Sequence, residues 1–259
     1  MRNTEPCAGS RSDRICHPVI RPRRGLLIGL VLLLALTAGV GALAQRRGTQ
    51  ARLVRTDPQQ ILKDPALLKE ALRLGAPLYR LHCAACHGAA LQGNQVRGVP
   101  DLEPGAWLYG NDPVDVEHTI YYGIRSGHPK ARNLTDMPAL VRTGQITAQD
   151  ASDVVEFLLG VAGRPHDEAA ALRGRAIYYN KGNCFDCHAH DLRGVVDYGT
   201  PALTGPVYLY GGDRATLYHS VLNGRHGECP AWVGRLAPVQ IRALALYMVA
   251  TPGSRPTGH

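Results

Sequence analysis

Cys83-Ala84-Ala85-Cys86-His87 and Cys184-Phe185-Asp186-Cys187-His188 are two copies of one chemical arrangement: two thiols spaced by two residues, then an imidazole. This C-x-x-C-H pattern suits covalent haem attachment. The thiols become thioethers to the porphyrin and the histidine becomes the proximal iron ligand. A four-cysteine zinc site is the competing arrangement, but zinc ribbons separate their pairs by about 15–20 residues, and the gap here is far longer. A thioredoxin-like redox pair explains neither the trailing histidines nor the duplication. Two covalently bound haem c groups are therefore expected, held by Cys83 and Cys86, and by Cys184 and Cys187, with His87 and His188 on the irons.

The second axial position separates the copies. Met137-Pro138 lies fifty residues after His87 and is the natural distal candidate for the first haem, because a thioether favours ferrous iron and raises its potential. In the second copy the matching tripeptide is Cys229-Pro230-Ala231. Three alternatives stand there: Cys229 binds as a thiolate and lowers the potential, His226 or His219 binds instead, or the position is labile and leaves a gas-binding haem. Arg125 and Arg225 are candidate charge-assisted partners for haem propionates. Trp107, Tyr109, Tyr208 and Tyr210 are candidate packing or propionate contacts beside the porphyrin. His82, His118, His128 and His190 read as ordinary packing or surface histidines.

Positioning these residues requires two similar modules. Aligning the chain with itself at an offset of 101 runs without a gap from Cys83/Cys184 to Gly123/Gly224, with fourteen of forty-one positions identical. A helix leads into each haem motif, over Pro65–Leu81 and Glu168–Asn180. A polar loop then reaches a Leu-Tyr-Gly turn, followed by a shorter helix over Pro113–Tyr122 or Arg214–Leu222. Closing helices start near Thr147, where Thr147-Ala148-Gln149-Asp150 resembles a capping box, and near Pro238, favoured at a first helical position. A first helix crossing a last helix, with haem between loops, is the layout of small c-type cytochromes. The fold class expected is all-α: an N-terminal transmembrane helix followed by two tandem class I cytochrome c domains.

Charge and hydropathy complete the plan. Residues 1–55 hold ten arginines against Glu5 and Asp13, whereas residues 56–259 hold nineteen basic and nineteen acidic side chains. The net charge of +8 thus flanks an apolar segment, which excludes nucleic-acid binding by the folded modules. Gly25–Ala44 is twenty residues without a charge, about the thickness of a bilayer core as a helix. It reads as an anchor, with Ala42-Leu43-Ala44 as the cleavage site should it be a secretory signal. The organisation expected is a cytoplasmic segment 1–24, a transmembrane anchor 25–44, a linker 45–64, cytochrome c domains at 65–162 and 163–251, and a tail 252–259. Haem c is attached outside the bacterial inner membrane, so a single-pass chain has its N-terminus in the cytoplasm and its haem domains in the periplasm. Cys7 and Cys16 then remain reduced.

The runs Trp107-Leu108-Tyr109-Gly110, Gly123-Ile124-Arg125-Ser126-Gly127-His128 and Met137-Pro138-Ala139 resemble the first haem domain of cbb3-type cytochrome c oxidase subunit III (CcoP/FixP). Tyr208-Leu209-Tyr210-Gly211-Gly212, Gly224-Arg225-His226-Gly227 and Pro230-Ala231-Trp232 resemble the second. The resemblance covers about residues 70–250. It implies a dihaem subunit without bond chemistry of its own, passing electrons from a soluble cytochrome c or the bc1 complex to a haem–copper catalytic subunit, beside a monohaem cytochrome c subunit. The chain departs from the family pattern at Cys229, where the pattern has Met, and in its basic residues 1–24, which lack the family's acidic stretch and tryptophan-rich motif. Two other functions compete: a stand-alone dihaem carrier for a dehydrogenase or another reductase, and a haem-based gas or redox sensor using a labile second haem.

Overall fold

The computed structural model describes residues 24–102, 107–205 and 208–251, with side chains of the first helix described from Leu27 onward. The expected cytoplasmic segment, Cys7, Cys16 and the tail 252–259 lie outside these residues. Two compact units divide at Gly48/Thr49. The first contains most of α1 (Arg24–Arg55), whose apolar side chains are exposed along Leu27–Leu43 and whose mean hydropathy reaches 2.5. The expected linker 45–64 is instead largely helical: α1 continues to Arg55, and α2 (Pro58–Ile61) follows. Gln45–Arg55 contains no proline, and the first stop signal is Asp57-Pro58, where the Asp57 carboxylate caps the Gln59 amide at 2.9 Å.

The second unit is all helix and loop among the described residues, with only isolated β-bridges. The first repeat supplies α3 (Pro65–His82), α4 (Ala84–His87), α5 (Pro113–Tyr122) and α6 (Ala148–Val161). The second supplies α7 (Glu168–Tyr179), α8 (Phe185–His188), α9 (Arg214–Asn223) and α10 (Pro238–Ala250). Asp64 caps α3 by accepting from Ala66 and Leu67 at 3.0 Å, and Pro65 occupies the first helical position. The expected box at α6 is present: Thr147 accepts from the Asp150 amide at 3.1 Å, and Asp150 accepts from the Thr147 amide at 2.7 Å.

The closing helices are exchanged between the repeats. Helix α10 packs on α3 and α5, whereas α6 packs on α7 and α9. Two glycines fix the crossings by close backbone approach. A Cβ on Gly75 of α3 would strike the Ala243 carbonyl and lie 2.6 Å from the Tyr247 Cβ. A Cβ on Gly174 of α7 would strike the Asp153 carbonyl of α6. The cores divide accordingly. One gathers Tyr79, Leu91, Leu102, Val116 and Ile120 with Ile241, Leu244 and Met248; the other gathers Val154, Val155 and Leu158 with Ile177, Tyr178, Leu192 and Leu217. A third cluster seats Leu53, at the end of α1, among Ile61, Leu67, Ala71 and Leu246.

Candidate haem sites

Each C-x-x-C-H motif forms a single helical turn that projects its histidine inward. The imidazole of His188 uses Nδ1 toward the Pro201 carbonyl, 3.0 Å away. The Pro100 carbonyl stands in the matching place beside His87, whose buried Nδ1 falls just outside hydrogen-bond geometry. Burial lowers the pKa of both imidazoles, with these carbonyls opposing, and so favours the neutral ring that ligates a metal. A backbone carbonyl on Nδ1 leaves Nε2 free for iron and fixes the tautomer. Burial also pushes the Cys83 thiol up to about 12 and that of Cys184 up to about 11.

Two tyrosines hold these turns in place, although they fall outside the ungapped repeat. Tyr79 donates to the Gly88 carbonyl at 2.7 Å, and Tyr178 donates to the Ala189 carbonyl at 2.8 Å. The signal for them was an aromatic residue four or six positions ahead of each first cysteine.

Both motifs open into one cavity of about 680 Å³, lined by Cys83, Cys86 and His87 and by Cys184, Cys187 and His188. Met137 and Cys229 also line it. These residues fit haem: the thiols are unpaired with one another as disulfides, the imidazoles are buried, and the walls are chiefly apolar. Among the described residues no group of three or more His, Cys, Asp or Glu side chains is placed to hold a metal ion of the zinc type.

The distal residues do not sit with the histidines of their own repeats. Met137 exchanges backbone hydrogen bonds with Arg225, just past α9, at 3.1 and 3.0 Å. Its side chain packs against the core that contains Leu192, Tyr208 and Leu217. Cys229 exchanges bonds with Ile124, just past α5, both at 2.9 Å. Burial pushes its thiol up to about 11, with Cys86 adding to the effect. Gly123 and Gly224 make these approaches possible, because a Cβ at either would strike the carbonyl of Cys229 or Met137 respectively. The histidine alternatives stand apart. His226 is exposed and engages Asp136 at 2.9 Å and Glu228 at 3.2 Å, and His219 lies on an exposed face of α9.

The remaining candidates form the seam between the repeats. Tyr109 packs against Gly199 and Tyr210 against Gly98, each so closely that a Cβ on the glycine would enter the ring. The Tyr109 hydroxyl is buried without a partner, as a hydroxyl reserved for a bound carboxylate would be. Arg225 covers the Tyr210 ring at 4.0 Å and donates to the Ser220 hydroxyl at 2.9 Å. Arg125 donates to the Gly227 carbonyl at 2.5 Å and to the Thr135 carbonyl at 2.7 Å, so its Nε and Nη1 brace loops from both repeats. Tyr208 is buried, and its hydroxyl donates to the Leu203 carbonyl at 3.0 Å. Trp107 packs on the core around Tyr79.

Paired thiols and buried imidazoles, twice over on a helical scaffold, define a dihaem c-type cytochrome. Residues 72–162 match the cytochrome c family model, and residues 169–248 match that of cytochrome c oxidase, cbb3-type, subunit III. The chain is 35% identical over 232 residues to the cbb3-type cytochrome c oxidase subunit CcoP of Cereibacter sphaeroides, covering 89% of this chain and 79% of that protein. It is 36% identical to subunit FixP of a Bradyrhizobium species (81% and 71% covered) and 35% identical to CcoP of Rhodobacter capsulatus (81% and 72%). The chain belongs to the CcoP/FixP family of cbb3-type oxidase subunits. It is a membrane-anchored electron-transfer cytochrome carrying two haem c groups. Bound haem would supply reversible one-electron chemistry; the chain offers two thiol pairs, two buried imidazoles and one shared, chiefly apolar cavity.

Proposed function

We propose that this chain relays electrons from a soluble cytochrome c or the bc1 complex to the haem–copper catalytic subunit of a cbb3-type oxidase, docked beside its monohaem cytochrome c subunit. The observation that carries the reading is the single cavity onto which both C-x-x-C-H motifs open, because two redox centres sharing one cavity suit a relay within the subunit. The haem domains face the periplasm and residues 1–24 the cytoplasm. Helix α1 is read as an uncleaved anchor, because its uncharged stretch Gly25–Ala44 is long enough to span a bilayer core. Membranes from a strain lacking this chain should lose cyanide-sensitive oxidation of reduced cytochrome c, and a tagged copy should co-purify with a copper–haem subunit. Intact oxidase turnover in its absence would refute the reading, as would purification with a dehydrogenase alone. A mature N-terminus at Gln45 would refute the anchor.

A further inference from the structure

We propose that Thr200 is a positioning residue for the haem held by Cys184, Cys187 and His188. Its hydroxyl keeps the Pro201 carbonyl on the proximal imidazole, and so lowers this haem's potential below the value that the first motif's loop would give. The assignment rests on the two-haem reading and deepens it; it is independent of which group takes either distal position.

The loops that follow the two histidines are near copies, which isolates their difference. In the ungapped repeat Pro201 matches Pro100, Val195 matches Asn94, and Thr200 matches Val99. The Gly93 amide donates to the His87 carbonyl at 2.9 Å, and the Gly194 amide donates to the His188 carbonyl at 3.0 Å. Leu102 donates to the Leu91 carbonyl at 2.9 Å, and Leu203 does the same to Leu192 at 2.6 Å. The hydroxyl is where the copies part. Thr200 Oγ1 donates to the Cys187 carbonyl at 2.5 Å and accepts from the Val195 amide at 2.8 Å. It thus pins the residue next to Pro201 to the residue next to His188. Across that clip, Nδ1 of His188 meets the Pro201 carbonyl at 3.0 Å. Val99 has no hydroxyl to offer the Cys86 carbonyl and pairs with Asn94 through backbone alone, at 2.9 Å in both directions. Nδ1 of His87 is buried without a hydrogen-bond partner.

A carbonyl held on Nδ1–H raises the basicity of the imidazole toward a metal. A more basic axial ligand favours ferric iron, and second-shell hydrogen bonding is one of the levers that set a haem's potential. The exchange of valine for threonine at one loop position therefore separates the two centres from the proximal side, with both attachment motifs intact.

Redox titration of the full-length, haem-loaded chain in detergent tests this, with Cys86→Ala as the background. The haem at His87 then keeps a free vinyl group, and its red-shifted α-band separates the two components. Thr200→Val should raise the midpoint of the unshifted component by about two- to tenfold in its reduction equilibrium, the worth of one net hydrogen bond. Tenfold is about 59 mV for one electron. Thr200→Ser, which keeps the hydroxyl, should leave that midpoint at its starting value. Val99→Thr should lower the red-shifted component. An unshifted component that stays in place in Thr200→Val, or moves as far in Thr200→Ser, would overturn the role of the hydroxyl. Where Thr200→Val takes up no haem, an unmoved red-shifted component in Val99→Thr would overturn it equally. Fewer than two haems per wild-type chain by pyridine haemochrome would instead sink the underlying two-haem reading.

Discussion

Arg242 holds together three elements that are remote in sequence. From α10 its Nε donates to Glu117 of α5 at 2.7 Å, and its Nη1 donates to the Leu53 and Thr56 carbonyls at 3.0 and 2.7 Å, where α1 ends. The pair is largely, though not fully, buried, with side-chain exposures of 13% and 12%. Arg242→Met conserves much of the volume but strands the Glu117 carboxylate. Breaking a buried pair from one side costs about 3–5 kcal/mol, and the lost bonds to two helix-end carbonyls favour the upper part of that range. For a folded unit of this size that corresponds to a fall in Tm of roughly 6–20 °C. Glu117→Leu combined with Arg242→Met should recover much of the loss, because two apolar groups replace the stranded charge. Thermal melts of the haem-loaded full chain, followed by circular dichroism in one detergent, measure all three. A single variant melting within a degree of wild type would refute the buried-pair reasoning, as would a double variant no better than Arg242→Met alone.

The acid limb of stability should come from α6. Arg173 holds the Asp153 carboxyl below its usual range and Arg214 does the same for Glu156, both carboxylates being buried. Depressed folded values mean that their contribution is complete above the unfolded pKa of about 4 and is lost as pH falls further. Urea midpoints should therefore drop from about pH 5 downward, and Asp153→Asn with Glu156→Gln should flatten the curve; an unchanged slope contradicts this. Gly174→Ala should destabilise the chain by at least about 1–3 kcal/mol through overpacking, whereas Gly39→Ala, with open space around it, should be neutral in the same melt. Because Arg125 braces the carbonyls of Gly227 and Thr135, each two residues before a distal sulfur, Arg125→Met should shift both haem midpoints. A shift in only one would show that the loops are held independently.

Much of this architecture was legible locally. The helices over Pro65–His82, Pro113–Tyr122 and Arg214–Asn223 match their expected spans to within a residue, because Asp-Pro starts, helix-ending glycines and capping carboxylates lie within a few residues of the boundaries they set. The haem motifs were legible for the same reason: all their chemistry is contained in five consecutive residues. What the chain hid were choices between equivalent surfaces. Both leading helices present a glycine, Gly75 or Gly174, and both closing helices present an apolar face, so pairing α6 with α3 or with α7 satisfies the same hydrophobic pattern. Arg242 and Glu117 read as ordinary helix charges, since 125 residues separate them. Residues 45–55 read as a linker because their charges conceal Leu53, which is buried against α2, α3 and α10.

The exchange also changes what the duplication built. Residues 137–224 carry α6, α7, the second haem motif and α9 in one continuous stretch, so the second module is a permuted cytochrome with its closing helix first. The first module is split around it and is completed only when α10 arrives. Each distal segment is thus the covalent exit from one module and the wall of the other. Met137 leaves the first repeat against Arg225, and Cys229 leaves the second against Ile124, with Arg125 reaching across to Gly227 between them.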